Sequence, residues 1–155
     1  MITCEKPTIE GARYIVQHLR EKDRSELAAT AFDKSLSSMA DVAMRSPGVK
    51  FVFCKDGEPV FIAGLIPSGD KCVQAWGFGT NKTKLVMRSV TKKTKKVISA
   101  LVKSGEINRV QALCMAAVAP LRWLDVIGLN RSADLGPMGS DQTEFVMKYG
   151  VFGER

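Results

Sequence analysis

The sequence predicts an α/β domain of the α+β kind, a sheet built mainly from hairpins and flanked by helices. Three features predict it. Two β-branched and aromatic runs in VKFVFCKDGEPVFIAGLIP meet at Asp56-Gly57, a dipeptide suited to the positive φ of a tight hairpin turn. A long amphipathic helical segment runs from about Lys84 to Lys103, and a buried strand from Arg109 to Ala117 then leads into a short helix, LRWLDVIG. At 155 residues the chain has the length of a single domain, 1–155, and can bury enough apolar surface to fold without staples or metal.

Taken in order, residues 1–12 read as a loose start, and Tyr14 to Leu19 as a short strand. Arg20-Glu21-Lys22-Asp23 opens a helical stretch carrying Leu27, Ala28, Ala31 and Phe32. A second helix, capped by Asp33 or Ser35, presents Leu36, Met39, Ala40, Ala43 and Met44 at helical spacing and ends at Ser46-Pro47-Gly48. The hairpin follows, and after the Pro67-Ser68-Gly69-Asp70 turn a third run, Cys72 to Phe78, completes a meander. Gly77, Gly79 and Asn81 lead into the long helix, whose apolar positions Val86, Val90, Val97, Ile98, Leu101 and Val102 oppose Lys92, Lys93, Lys95, Lys96 and Lys103. Gly105 and Gly128 are natural stops for the two late helices. A short strand near Arg131 to Leu135 and a closing strand from Thr143 to Tyr149 flank the glycine-rich LGPMGSD connection.

Apolar residues make up 45% of the chain and charged residues 25%, a globular composition that excludes a long disordered arm. No apolar run reaches the roughly 18 residues of a membrane span, and MITCEKPTIEGAR lacks the apolar centre of a signal peptide, so the expected location is the cytoplasm. Cys4, Cys54, Cys72 and Cys114 are widely spaced, form no CxxC pair and read as reduced thiols without a metal. His18 is the sole histidine and stands in the apparent first strand, which gives a Ser-His-Asp or Cys-His site little support. The net charge of +7 favours an acidic partner: nucleic acid, a phosphorylated cofactor or an anionic protein surface.

The order strand, two helices, three-strand meander, long helix, strand, short helix and terminal hairpin resembles the Gcn5-related N-acetyltransferase (GNAT) superfamily. YIVQHLREKDRSEL resembles that family's opening strand and charged helix start, and PLRWLDVIGL its late helix. The resemblance runs from about Tyr14 to Tyr149 and implies a mixed, mostly antiparallel sheet of six or seven strands flanked by about four helices. Within the superfamily the lysine-rich helix and the Arg122-Trp123-Leu124, Ile127-Gly128 pattern resemble acyltransferase-like and internal virion proteins of short-tailed bacteriophages.

The family holds the pyrophosphate of acetyl-CoA with a Q/R-x-x-G-x-G/A loop, whose glycines let backbone N–H groups at a helix N-terminus approach the phosphates. The corresponding stretch here, GTNKTKLVMRSV, has no glycine in the turn itself. The resemblance therefore implies a cofactor-binding region at Phe78, Gly79, Lys82, Thr83, Lys84 and Arg88, with side-chain charge replacing backbone contacts. The thioester carbonyl would lie between splayed strands around Phe78 and Leu113. Two standard side chains are missing: Leu124 stands where many members carry the tyrosine that protonates the departing thiolate, and Ala117 stands where an asparagine is common. Glu58 and Asp125 are candidate bases, each outweighed by its reading as a solvated carboxylate, and no catalytic residue is assigned.

Three functions stay open. One is a bacteriophage protein that keeps the acyltransferase fold and acts by binding, within the virion or against a host factor. Another is an acetyl-CoA-dependent N-acetyltransferase acting on an amine or a protein lysine. The third is nucleic-acid binding through Lys92, Lys93, Lys95 and Lys96, a face that also reads as simply solvated or as a funnel for cofactor phosphates. Trp76 and Trp123 stand among apolar neighbours and read as core.

Overall fold

A computed structural model describes residues 1–30, 37–115, 118–138 and 142–153. The element order is β1 (Ile2–Glu5), α1 (Ile9–Gln17), α2 (Glu21–Thr30), α3 (Ser37–Arg45), β2 (Val49–Lys55), β3 (Glu58–Pro67), β4 (Cys72–Gly79), a 3-10 turn (Thr83–Leu85), α4 (Met87–Lys103), β5 (Arg109–Met115), α5 (Val118–Val126), β6 (Arg131–Met138) and β7 (Thr143–Val151). The strands form a mixed seven-stranded sheet in the order β1-β2-β3-β4-β5-β7-β6. By internal contacts the chain divides into two compact units: Met1–Leu65 with Gly77–Val90, and Ile66–Trp76 with Thr91–Arg155.

In the first unit the opening of the chain differs from the sequence reading. The supposedly loose residues hold β1, which pairs antiparallel with β2 from Ile2↔Lys55 to Glu5↔Val52. The segment read as a strand from Tyr14 to Leu19 lies mostly in α1, with His18 at the helix C-cap. Its β-branched pair Ile15-Val16 suggested a strand. The helix wins because Thr8 Oγ1 caps it by accepting the Gly11 N–H at 3.1 Å, and Ala12, Ile15 and Val16 are spaced to bury one helical face. The expected caps Asp33 and Ser35 lie outside the described residues, as does Leu36. Ala40 and Ala43 are buried on α3 as the spacing predicts.

The hairpin forms where expected: Asp56 has φ 51° and Gly57 φ 82°, the paired positive values of a tight type I′ connection. A bulge between Phe53 and Cys54 shifts the register of β2 on β3. Phe53, Val60, Ile62, Ile15, Val86 and Val90 are fully buried and form the heart of this unit's core.

In the second unit β4 runs parallel to β5, with Cys72↔Arg109 and Gln74↔Gln111 in register, so the two strands require a long crossover connection. α4 ends at Gly105, φ 77°, whose N–H bonds Val102 O while the Glu106 N–H bonds Leu101 O. β7 inserts between β5 and β6, antiparallel to both. The terminal hairpin is longer than predicted on both strands, and residues 116–117 and 139–141 lie outside the described set. Val110, Leu129 and Phe145 are the most deeply buried side chains here.

Candidate functional site

The expected cofactor residues cluster in the first unit, where β4 ends and the chain turns into α4. Gly77 and Gly79 are glycine because neighbours occupy the space a side chain would need. A Cβ on Gly77 would lie 2.8 Å from Phe61 Cζ; one on Gly79 would lie 2.3 Å from Thr83 Oγ1, 2.6 Å from Phe61 Cδ2 and 2.9 Å from Val60 O. The vacancies left by the glycines are filled by Phe61 and Thr83. Beside them Phe78 is 4% exposed.

The backbone at this strand end is tied to the start of α2. The Gly79 N–H donates to Asp23 Oδ2 at 2.8 Å, and Gly79 O accepts the Arg20 N–H at 3.0 Å. Asp23 is buried and also receives Arg20 Nε at 2.7 Å. Leu19 and Thr80 form an isolated antiparallel bridge, and the Thr80 N–H donates to Val60 O at 2.9 Å.

The following turn closes on itself. The Lys82 N–H donates to Thr80 Oγ1, the Thr83 N–H and hydroxyl both donate to Thr80 O, the Leu85 N–H donates to Lys82 O, and the Val86 N–H donates to Thr83 O. Four backbone N–H groups of the kind a glycine-rich loop would offer to phosphates, those of Lys82, Thr83, Leu85 and Val86, are thus spent on a 3-10 turn. Thr83, expected to face a ligand, is 1% exposed with its hydroxyl turned inward. Lys84 and Arg88 are exposed.

Lys82 belongs to a different constellation. Its ammonium pairs with Glu58 Oε2 at 2.5 Å, and Tyr14 OH donates to Glu58 Oε1. The His18 ring stacks on Tyr14 with centroids 4.2 Å apart, and its Nδ1 lies 2.8 Å from Tyr14 O. The hydrogen bond from Lys82, then that from Tyr14, holds the Glu58 carboxyl below the usual glutamate range. The same bond to Glu58 raises the Tyr14 phenol, with burial adding to it, and the bond to Glu58 raises the Lys82 ammonium. A general base works best with a pKa near the operating pH, so a carboxylate with both oxygens occupied and its pKa depressed is a weak one. Glu58 is a partner in a structural triad instead of the free surface carboxylate its sequence context suggested.

In the second unit, Leu124, which the resemblance matches to the family's thiolate acid, is 5% exposed and apolar. Ala117 lies outside the described residues. Asp125 receives the Lys148 ammonium at 2.5 Å; the lysine side chain is 9% exposed and the aspartate 51%. Trp123 is half-buried and donates its indole N–H to Thr91 Oγ1 at 2.8 Å, while Trp76 is half-buried on β4. No group of three or more His, Cys, Asp or Glu able to hold a metal occurs among the described residues. Cys54 and Cys114 are buried free thiols, and burial raises the pKa of Cys54.

Sequence reasoning missed Tyr14, Asp23 and Lys148. The signal for Asp23 was weak but present, an Arg-x-x-Asp pair opening a helix. Tyr14 was assigned to a strand, and nothing local marks Lys148 as buried.

Comparison with solved structures decides the architecture. A GNAT-family acetyltransferase from Bacillus anthracis superposes with a TM-score of 0.71 at 13% identity, covering 99% of this chain and 96% of that one.

The fold is that of the Gcn5-related N-acetyltransferases.

The ribosomal-protein-S18-alanine N-acetyltransferase of Escherichia coli shares this GNAT fold with a TM-score of 0.65 at 14% identity, over 100% of this chain and 96% of that one. The microcin C7 self-immunity acetyltransferase, solved in complex with acetyl-CoA and AMP, gives 0.70 at 14% identity over 97% and 92%. No protein-family model matches the chain, and no curated protein matches it in sequence. No helix among the described residues is long and apolar enough to cross a membrane.

Proposed function

We propose that this chain uses the GNAT fold as a binding scaffold and does not transfer acyl groups. The observation that carries the reading is the closed strand end: the Gly79 N–H is held by Asp23, and the N–H groups of Lys82, Thr83, Leu85 and Val86 are bonded within the turn. A pyrophosphate needs such donors unspent, and a Cβ-free glycine cradle open to it; here the space at Gly79 is taken by Thr83 and Phe61. Thr83 and Lys82, two of the side chains that would compensate, are buried and ion-paired respectively. As they stand, these residues do not fit the pyrophosphate of acetyl-CoA. Fold alone does not transmit activity. The resemblance of the lysine-rich helix and the Arg122 to Gly128 pattern to phage proteins supports a finer reading, a virion component or host-factor ligand of a short-tailed bacteriophage.

A second reading, an acetyl-CoA-dependent N-acyltransferase acting on an amine or protein lysine, is favoured by two observations. Lys84 and Arg88 remain exposed beside the start of α4, and structural neighbours include acetyltransferases solved with acetyl-CoA and with coenzyme A. Direct amine attack on a thioester draws mainly on proximity, so the absence of an acid at Leu124 does not forbid it.

Calorimetric titration with acetyl-CoA, and separately with coenzyme A, at moderate salt tests the choice. The scaffold reading expects no heat of binding up to millimolar ligand. Micromolar binding of acetyl-CoA overturns it and makes the turn a working cofactor site. Recovery of the protein from purified virions would support the phage assignment.

A further inference from the structure

α4 carries six cations, Arg88, Lys92, Lys93, Lys95, Lys96 and Lys103, and no acidic residue along its 17 positions. At 3.6 residues per turn, Lys92, Lys95, Lys96 and Lys103 fall within an arc of roughly 100°, with Ser99 between them. Val90, Val97, Ile98 and Leu101 lie outside that arc, and Val90 and Ile98 are buried at 0% and 3% exposure. The four lysines of the arc are all exposed, and among the described residues no ion pair involves them. The unit's carboxylate nearest in sequence on the neighbouring helix, Asp125, is already committed to Lys148.

A solvated helix face ordinarily mixes signs, because alternating Glu and Lys at i, i+4 add stability while like charges at that spacing repel. Lys92 and Lys96 stand at that repulsive spacing with no acidic residue on α4 to relieve it. The chain keeps a single-sign ridge on a stable amphipathic helix, an arrangement that gains from a polyanion and loses without one. From Lys92 to Lys103 the helix rises about 16 Å. Over that length a nucleic-acid duplex carries on the order of ten phosphates, a density that a row of four lysines can engage along one backbone. Aromatic side chains are absent from α4, which leaves no platform for stacking unpaired bases.

From this ridge we infer that the exposed face of α4 is a sequence-independent docking surface for the phosphate backbone of duplex nucleic acid. The lysines of this face are other residues than those of the strand end discussed above, and coenzyme A enters the test as a competitor.

The experiment is fluorescence anisotropy of a labelled duplex of about 20 base pairs, with affinity followed over a salt series. Binding whose log K falls with log salt at a slope near −4, about −0.9 for each of four phosphates, is expected. The variant Lys92→Glu/Lys96→Glu should reduce the slope by about 2 and weaken binding more than tenfold at low salt. Lys6→Glu/Arg24→Glu, which changes net charge equally through exposed cations that are not on α4, should alter affinity less than threefold. The inference is overturned if the two double variants weaken binding equally, or if no duplex binding occurs at low salt. It is also overturned if polyglutamate competes as well as duplex at equal charge, which would make the partner an acidic protein, or if coenzyme A displaces the duplex at comparable phosphate concentration.

Discussion

The carboxylate of Asp23, in the first turn of α2, accepts the backbone N–H of Gly79 at the end of β4 across 2.8 Å. The bond is buried, spans 56 residues of sequence, and fixes the strand end from which the turn into α4 departs. Removing a charged acceptor from a buried N–H costs roughly 2 kcal/mol. Asp23→Ala should therefore lower the unfolding free energy by that amount, read as a lower urea midpoint with an unchanged m-value, and Asp23→Asn, which keeps an acceptor oxygen, by about half as much. Equal stability of all three proteins would mean that Asp23 does not hold the strand end.

Gly79→Ala should be destabilising by about 2 kcal/mol, in the range of an overpacked core. The added Cβ meets the Val60 carbonyl and the buried Thr83 hydroxyl as well as Phe61, so Phe61→Leu in the same chain should not restore stability. Restoration by that second change would place the whole conflict at the aromatic ring. Thermal unfolding of the single and double variants distinguishes the two outcomes.

Lys148 brings a buried ammonium from β7 to Asp125 on α5. Breaking a fully buried pair by removing one partner costs about 3–5 kcal/mol, and the half-exposed aspartate, which lets water reach the lysine, reduces this to about 1–2. Asp125→Asn should show that loss, whereas Lys148→Met, which replaces the charge with apolar volume, should come close to the parent stability. A larger loss for Lys148→Met than for Asp125→Asn would identify the ammonium itself as the needed group.

The Tyr14, Glu58 and Lys82 triad sets a pH response. The Glu58 pKa is lowered in the folded state, so its contribution is complete above the unfolded value, about 4.3, and is lost as pH falls through the folded value beneath it. Tyr14 and Lys82 are raised, so their contributions are complete below their unfolded values, about 10, and fade as pH rises through the folded ones. Melting temperatures measured from pH 6 to pH 3 should fall more steeply for the parent than for Glu58→Gln. Parallel curves would show that the carboxylate gains nothing from its two donors.

Much of the architecture was legible because it rests on short-range chemistry. The Asp56-Gly57 turn, the stops at Gly105 and Gly128, and the amphipathic period of α4 each act within a few residues, and each stands where the sequence puts it. The opening misled because Ile15 and Val16 favour a strand locally. The Thr8 cap and the burial of Ala12, Ile15 and Val16 on one face outweigh that preference.

By itself the sequence determined the order of most elements, the apolar residues available to the core, the single-sign charge of α4 and the absence of glycine from the turn after β4. Only the tertiary structure decided what those residues meet. It gave Gly79 to Asp23 and Thr83, took Lys82 for Glu58 and Tyr14, and buried Lys148 beside Asp125. The physical reason is distance along the chain: hydrogen bonds and ion pairs between residues 23 to 56 positions apart leave no periodicity or local composition to read, and form only once the sheet has brought their elements together.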